Sequence, residues 1–350
     1  MNSILVILIA GIGDIILSTK ALRALKLGHP NSEIHLLTGT QAASLAQNIK
    51  YIDHVWPFPI RELKEDRFQL MEILRLIRKL RKIDFDTIIN VYRVSTWIGS
   101  LEMGLLFMLL RGQEKIGHDN KGFGLFLDKK ISGKTFRDRH FTDSMMDIAE
   151  LAGGIPDNKG IEIFPDNKSE EKWKSLFAGT QTDSREMRIA INPGGERKSR
   201  RWNPEHYASV ADHLIEKFNA SIFILGGSGE EKIAEEIRIK MRNKATDLSG
   251  KLTLNDLAYI IDIMDLLVTN DSGPMHIAAA VKTPVVAIFG PEDPKLFGPY
   301  TTPDLYRIVY KDVDCRPCKK KNCKKPVCLE LITPDEVVEK CVDMLTGENC

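Results

Sequence analysis

Apolar positions in this chain come in short unbroken runs, each closed by a glycine or asparagine turn and followed by a stretch with helical spacing. Residues 4–10 are aliphatic throughout, residues 11–14 form a glycine turn, and residues 15–27 carry apolar side chains at helical intervals. A continuous run bounded by a turn is the pattern of a strand buried on both faces. Further strands are predicted at 33–37 and 87–91. A polar stretch follows at 166–188, and the pattern then restarts at 189–192, 221–225, 266–269 and 285–289. Strands alternating with helices imply parallel sheets with crossover helices. The expected fold class is α/β: two Rossmann-like domains, residues 1–170 and 185–350, whose parallel sheets face an interdomain cleft. The last helix is a candidate to pack back on the amino-terminal domain. Open parallel sheets bind ligands beyond the carboxyl ends of their strands, so the loops there are where chemistry is expected.

Three hundred and fifty residues are more than one core usually serves, in keeping with two domains. With 49 basic against 48 acidic side chains there is no excess charge to neutralise a phosphate backbone, and no nucleic-acid partner is expected. The start of the chain lacks a cationic leader, and the most apolar later stretch, 97–110, contains Glu102 and is shorter than the ~20 residues of a spanning helix. A cytoplasmic protein without a transmembrane span is expected. The segment 96–110 reads as a helix supporting the amino-terminal core, an exposed face of which could dock on a membrane surface.

The first turn resembles a dinucleotide fingerprint only in part. Gly11-x-Gly13 is followed by Ile16 where a third glycine belongs, and the second strand ends at Thr38-Gly39 without a ribose-binding acid, so a nicotinamide cofactor is not expected. The turn does present Asp14, either as a general base or as a helix cap. Asn270-Asp271-Ser272-Gly273-Pro274-Met275-His276 reads as a strand end passing into a capped helix, a corner with free amides suited to diphosphate; a well-capped helix with His276 packed on the sheet is the alternative. Gly194 and Gly195 lead into Arg197, Lys198, Arg200 and Arg201, four cations in five residues, where arginines can grip phosphate oxygens. Gly226-Gly-Ser-Gly229 is followed by Glu230 and Glu231, either of which could reach ribose hydroxyls or serve as helix-start acids. Cys315, Cys318, Cys323 and Cys328 are dense enough for a structural zinc site or for unoccupied thiols, with interleaved lysines that would favour thiolate.

Taken in order, these motifs resemble glycosyltransferase family 9, the heptosyltransferases of the lipopolysaccharide inner core. The likeness rests on the pattern at 11–26, Lys115-Ile-Gly-His118, the Asn192-Pro-Gly-Gly and basic-Trp segment, Asp271-Ser-Gly-Pro-Met-His, Phe289-Gly-Pro and the terminal cysteines. It implies a GT-B architecture and an inverting, metal-independent transfer of heptose from ADP-heptose to lipid A–Kdo or a core heptose at the inner membrane surface. No cofactor is required. Asp14 matches the base, and Gly194, Arg200, Arg201, Glu230 or Glu231, Asp271, Ser272, Gly273 and His276 match the donor site. The family's phosphate-binding lysine falls at Arg200. Lys20 stands where proline is common and Glu292 where threonine is common. Candidate acceptor residues are Gly13, Arg61, Lys64, Arg93, Arg137 and Arg139. Competing readings are another nucleotide-sugar donor, a GT-B sugar-nucleotide epimerase, or a catalytically silent nucleotide-sugar binder.

Overall fold

The structure is a computed structural model that describes residues 2–59, 69–94, 96–133, 139–177, 187–318, 320 and 323–347. The chain divides into two compact units, Met1–Ile161 and Glu162–Cys350. In the first unit the elements run β1 (Ser3–Leu8), α1 (Ile12–Gly28), β2 (Glu33–Gly39), α2 (Thr40–Ala46), β3 (His54–Phe58), α3 (Gln69–Leu80), β4 (Phe85–Asn90), α4 (Trp97–Leu109), β5 (Gly112–Asp119), β6 (Lys129–Ser132) and α5 (Phe141–Leu151). The six strands form one parallel sheet in the order β3-β2-β1-β4-β5-β6. All six residues of β1 are buried, as the unbroken apolar run after Ser3 requires at the middle of a sheet covered on both faces. One face is filled by Ile73, Ile77 and Leu80 of α3 and Leu106 and Phe107 of α4; α1 and α5 pack together elsewhere in this unit.

The second unit contains α6 (Asn167–Phe177), β7 (Arg188–Asn192), α7 (Pro204–Phe218), β8 (Ser221–Ile224), α8 (Glu231–Lys240), β9 (Thr246–Asp247), α9 (Leu254–Asp262), β10 (Leu266–Asn270), α10 (Gly273–Val281), β11 (Val285–Phe289), α11 (Pro294–Phe297), β12 (Tyr306–Tyr310), α12 (Val327–Glu330) and α13 (Pro334–Thr346). Its sheet, β12-β11-β10-β7-β8-β9, repeats the strand order of the first and is parallel throughout. Strand order reverses between β1 and β4 in one sheet and between β7 and β10 in the other, the position where such sheets open a crevice for ligands.

One helix falls in a different unit from the one expected, and another packs on its own unit. Helix α6 was expected within the first domain or its linker, yet it packs on α9, with Lys172 Nζ 2.7 Å from Asp256 Oδ2. Burial raises the Asp256 carboxyl, but that ion pair and the Thr253 backbone and side chain at the start of α9 hold it down at about 2. Helix α13, the candidate to pack back on the amino-terminal domain, lies on α7 and β12 of its own unit, where Val337, Val338 and Cys341 enter the core. No described helix is long and apolar enough to cross a membrane.

Candidate active site

In the first unit the turn after β1 leaves the sheet at its reversal point, with β2 on one side and β4 on the other. The helix that follows begins earlier than the apolar spacing suggested. Gly11 is the cap and Ile12 the first helical residue, which puts Asp14 inside the first turn with Gly13. Its Oδ2 accepts the Gly11 N–H at 3.0 Å, so the half-buried carboxylate folds back over the positive end of α1. This is neither of the expected alternatives alone: the side chain closes the helix start from its third position and is still held at the sheet's ligand-binding edge.

Arg93 leaves β4 at the same edge, half-buried, with its guanidinium 5.7 Å from the centre of the Phe141 ring. Burial pulls its pKa below the usual arginine value. The imidazole of His118, near the end of β5, is pushed to about 3 by burial and by Arg93, and stays neutral in the physiological range. Arg139 is held by Asp147 of α5 through two contacts, at 2.8 and 3.2 Å, which ties it into a local ion pair. Arg61, Lys64 and Arg137 lie outside the described residues.

The second unit gathers most of the predicted donor residues around its own reversal point. β7 ends at Asn192, paired with Thr269 in β10, so the loops after both strands emerge side by side. The side chain of Asn270 clamps the loop after β7 at both ends: Nδ2 donates to the Pro193 and Gly194 carbonyls at 2.8 and 3.0 Å, and Oδ1 accepts the Trp202 N–H at 3.0 Å. Trp202 is itself buried, and its indole N–H donates to the Ile332 carbonyl. Each polar group of the buried Asn270 amide thus has a partner, which fixes the basic loop between its two anchors.

Glu230 supplies a second clamp. One carboxylate oxygen accepts the Gly195 N–H at 2.7 Å and the other the Gly227 N–H at 2.8 Å. A Cβ on Gly194 would come within 2.1 Å of this carboxylate, so the position has no room for a side chain. Gly195 adopts φ 146°, which favours glycine. Glu231 instead accepts the Gly229 N–H at 2.8 Å. Of the two acids, Glu230 joins the loop after β7 to the loop after β8.

The cations form a chain with three carboxylates. Arg200 Nη1 lies 3.1 Å from Asp271 Oδ2, and its Nη2 reaches Glu292 Oε1; Arg197 meets the same Glu292 oxygen. Arg201 donates to the Gly195 carbonyl at 2.7 Å and stands 3.4 Å from Glu230. Arg316 donates to the Glu292 backbone carbonyl. Asp271 is deeply buried; desolvation lifts its carboxyl to about 6, with Arg200 opposing the rise and Glu292 adding to it. Ser272 occupies the cap position of α10, but its hydroxyl donates to the Asn270 carbonyl at 3.2 Å and makes no side-chain bond to the helix amides. Gly273 and Pro274 open the helix, and His276 is buried one turn in. The sequence marks Glu292 as a departure from the family pattern and Asn270 as the end of a strand, and assigns a site role to neither. The signal for Asn270 is its position as the last residue of an otherwise apolar strand.

Of the two readings of the cysteines, the structural zinc site finds no support among the described residues. No three of Cys315, Cys318, Cys323 and Cys328 bring their sulfurs within 4.8 Å of one another among the described residues. Cys328 enters the core from α12, where burial pushes its thiol up, whereas Cys315 is exposed. Burial there outweighs any effect of the lysines. The described residues that do converge are Glu33, His35 and His54, at the amino ends of β2 and β3. Trp56 Nε1–H donates to His35 Nδ1 at 3.1 Å, so the neutral ring carries its proton on Nε2 and turns an N–H, not a lone pair, toward Glu33. That arrangement does not suit a metal ligand.

The sequence profile of the family described as glycosyltransferase family 9 (heptosyltransferase) matches residues 73–328. A lipooligosaccharide heptosyltransferase 2 of Campylobacter jejuni is 34% identical over 167 residues, 46% of this chain and 52% of that protein; the match thus spans about half the length of that relative. A family 9 glycosyl transferase from Veillonella parvula superposes with TM-score 0.82 at 22% identity, covering 99% of this chain and 98% of the other. The Escherichia coli ADP-heptose lps heptosyltransferase II gives TM-score 0.76 at 21% identity over the whole of both chains. The fold is thus the GT-B arrangement of these transferases, and the chain belongs to glycosyltransferase family 9.

Proposed function

We propose that this protein transfers a heptose from ADP-heptose to the inner core of lipopolysaccharide, either lipid A–Kdo or a core heptose. Its place would be the cytoplasm, peripheral to the inner membrane. The observation that carries this reading is the cradle at the reversal point of the second sheet. There Arg201 holds the Gly195 carbonyl, while Arg200 reaches Asp271, just before the start of α10, and shares Glu292 with Arg197. Guanidinium forks and helix-start amides are the groups that hold a diphosphate. Family membership and the names of the Campylobacter and Escherichia relatives support heptose as the sugar.

In the proposed step Asp14 takes the proton from an acceptor hydroxyl while that oxygen forms a bond to the anomeric carbon of the donor. The bond from that carbon to the diphosphate oxygen breaks on the opposite face, inverting the configuration, and its electron pair leaves with ADP. Arg200, Arg201 and the amides at Ser272 and Gly273 neutralise the charge that builds on the leaving group, without a metal ion. Glu230 is the acid assigned to the ribose. It already binds two backbone amides, so ribose hydroxyls would join or replace them.

The test is a panel of nucleotide sugars assayed against truncated core acceptors, with linkage and anomeric configuration read by NMR and a parallel series in EDTA. Transfer from ADP-heptose with inversion, undiminished by EDTA, is expected. Conversion of ADP-heptose in the absence of acceptor would favour an epimerase, and donor binding without turnover on any acceptor a silent binder.

A further inference from the structure

Helix α4 is built unlike its neighbours. A helix packed on an open sheet buries one stripe and turns a polar face to water. In α4, Glu102 is the single charged residue among thirteen. Leu106 and Phe107 are buried against the sheet. Trp97, Ile98, Leu101, Leu105 and Met108 are between 54% and 79% exposed. Residues 97, 101, 105 and 108 recur at helical intervals, so four of the five form one stripe along the outer face. A contiguous patch of large apolar side chains in water marks a surface that something covers.

The charges nearby identify the covering surface. Helix α3, which enters the same core cluster, exposes Leu70, Met71 and Leu74. Exposed cations accompany it at Arg75, Arg78, Lys79, Arg81 and Lys82, with Arg111 just beyond α4. Against these six stand three exposed acids, Glu72, Asp84 and Glu102. An apolar face rimmed by excess positive charge is the pattern of a surface that lies in the headgroup region of an anionic bilayer. A second copy of the chain fits less well, because a two-fold contact sets the same patch against itself and brings like charges together.

Position agrees with this. Asn90, the last residue of β4, pairs with Ile7 of β1, so α4 starts from the same sheet edge as the turn that carries Asp14. We infer that the outer face of α4, flanked by the cations of α3, is a docking surface for anionic lipid that holds the first unit against the bilayer. This rests on the reading above that the acceptor is anchored in lipid.

Flotation of the full chain with vesicles of phosphatidylglycerol and phosphatidylethanolamine tests the inference without any turnover. The wild type is expected to float, and several-fold less to float with phosphatidylcholine alone. The double variant Leu101→Glu, Leu105→Glu should lose at least ten-fold in partitioning with an unchanged melting temperature, because both side chains are already in water. It should lose about as much kcat/KM on acceptor embedded in those vesicles, while a deacylated, water-soluble core acceptor is turned over as before. Wild type that stays with the soluble fraction, or a double variant that floats equally well, overturns the docking surface. So does a wild-type dimer that the double variant dissolves, since the patch is then occupied by its own copy. Absence of transfer to any acceptor would instead count against the proposed function and leave the flotation result standing.

Discussion

Arg200 Nη2 lies 2.6 Å from Glu292 Oε1, and Arg197 Nη1 meets the same oxygen at 3.0 Å. Two of the three arginines assigned to the diphosphate are therefore held by a carboxylate. A diphosphate must displace that contact before it can use both forks. Each partly exposed ion pair of this kind is worth up to about 1 kcal/mol, a factor of about five in Kd. Glu292→Gln is expected to tighten ADP binding by about three- to ten-fold in isothermal titration calorimetry. Weaker binding in the variant would show that Glu292 positions the arginines for the nucleotide and does not compete with it.

Asp271 depends on Arg200 in a different way. The carboxylate is deeply buried, and the contact at 3.1 Å is the ion pair that offsets its desolvation. Truncating one partner of a buried pair typically costs about 3–5 kcal/mol, because the other charge is left uncompensated. Arg200→Ala should lose about that much in urea unfolding at pH 8. The double variant Arg200→Ala, Asp271→Asn should recover most of the stability and none of the ADP affinity. If the double variant is as unstable as the single one, the loss comes from packing of the arginine stem and not from charge.

The same carboxyl gives a pH signature. Burial lifts it from 3.8 to about 6, so between those values the native chain holds a proton that the unfolded chain has released. Stability contributed by this group is present below about pH 4 and falls as pH rises through about 6. The difference between wild type and Asp271→Asn should show that slope. A bound diphosphate adds negative charge beside Arg200 and raises the carboxyl further, so ADP binding near pH 6.5 should take up protons. Titrations in two buffers of different ionisation enthalpy would read the uptake, and it should vanish in Asp271→Asn; proton release would reverse the assignment.

What the sequence disclosed follows from where the physics is local. β1, β10 and β11 are fully buried central strands whose apolar runs state their position directly. Strand β5, Gly112–Asp119, is mostly polar, and β9 has two residues; neither carries a pattern, and both exist because a neighbouring strand offers hydrogen bonds. The loop sites were legible as residue types after strands. Partners were not: that Glu292 meets Arg200, 92 positions away, depends on the sheet bringing the loops after β11 and β7 together across the end of β10. The cysteine spacing suggested convergence, but Cys328 enters the core while Cys315 is exposed, and no three of the described sulfurs come within ligand distance of one another.

The substitution Asp14→Asn isolates the proposed base from its structural duty. The carboxylate now accepts the Gly11 N–H through Oδ2 at 3.0 Å. An asparagine carbonyl oxygen can accept that same bond, so the helix start should survive with a loss of about 0.3–1 kcal/mol from the missing charge at the positive end of α1. The proton acceptor does not survive, and a positioned base is typically worth about 10²–10⁴-fold in rate. Single-turnover transfer from ADP-heptose should fall by that factor. ADP affinity should stay within about two-fold, because the residues assigned to the nucleotide belong to the other unit. Asp14→Ala should lose the same rate and more stability, since it removes the acceptor as well. Near-normal turnover in Asp14→Asn with a native melting temperature would place the base on another residue and reduce Asp14 to a helix-capping role.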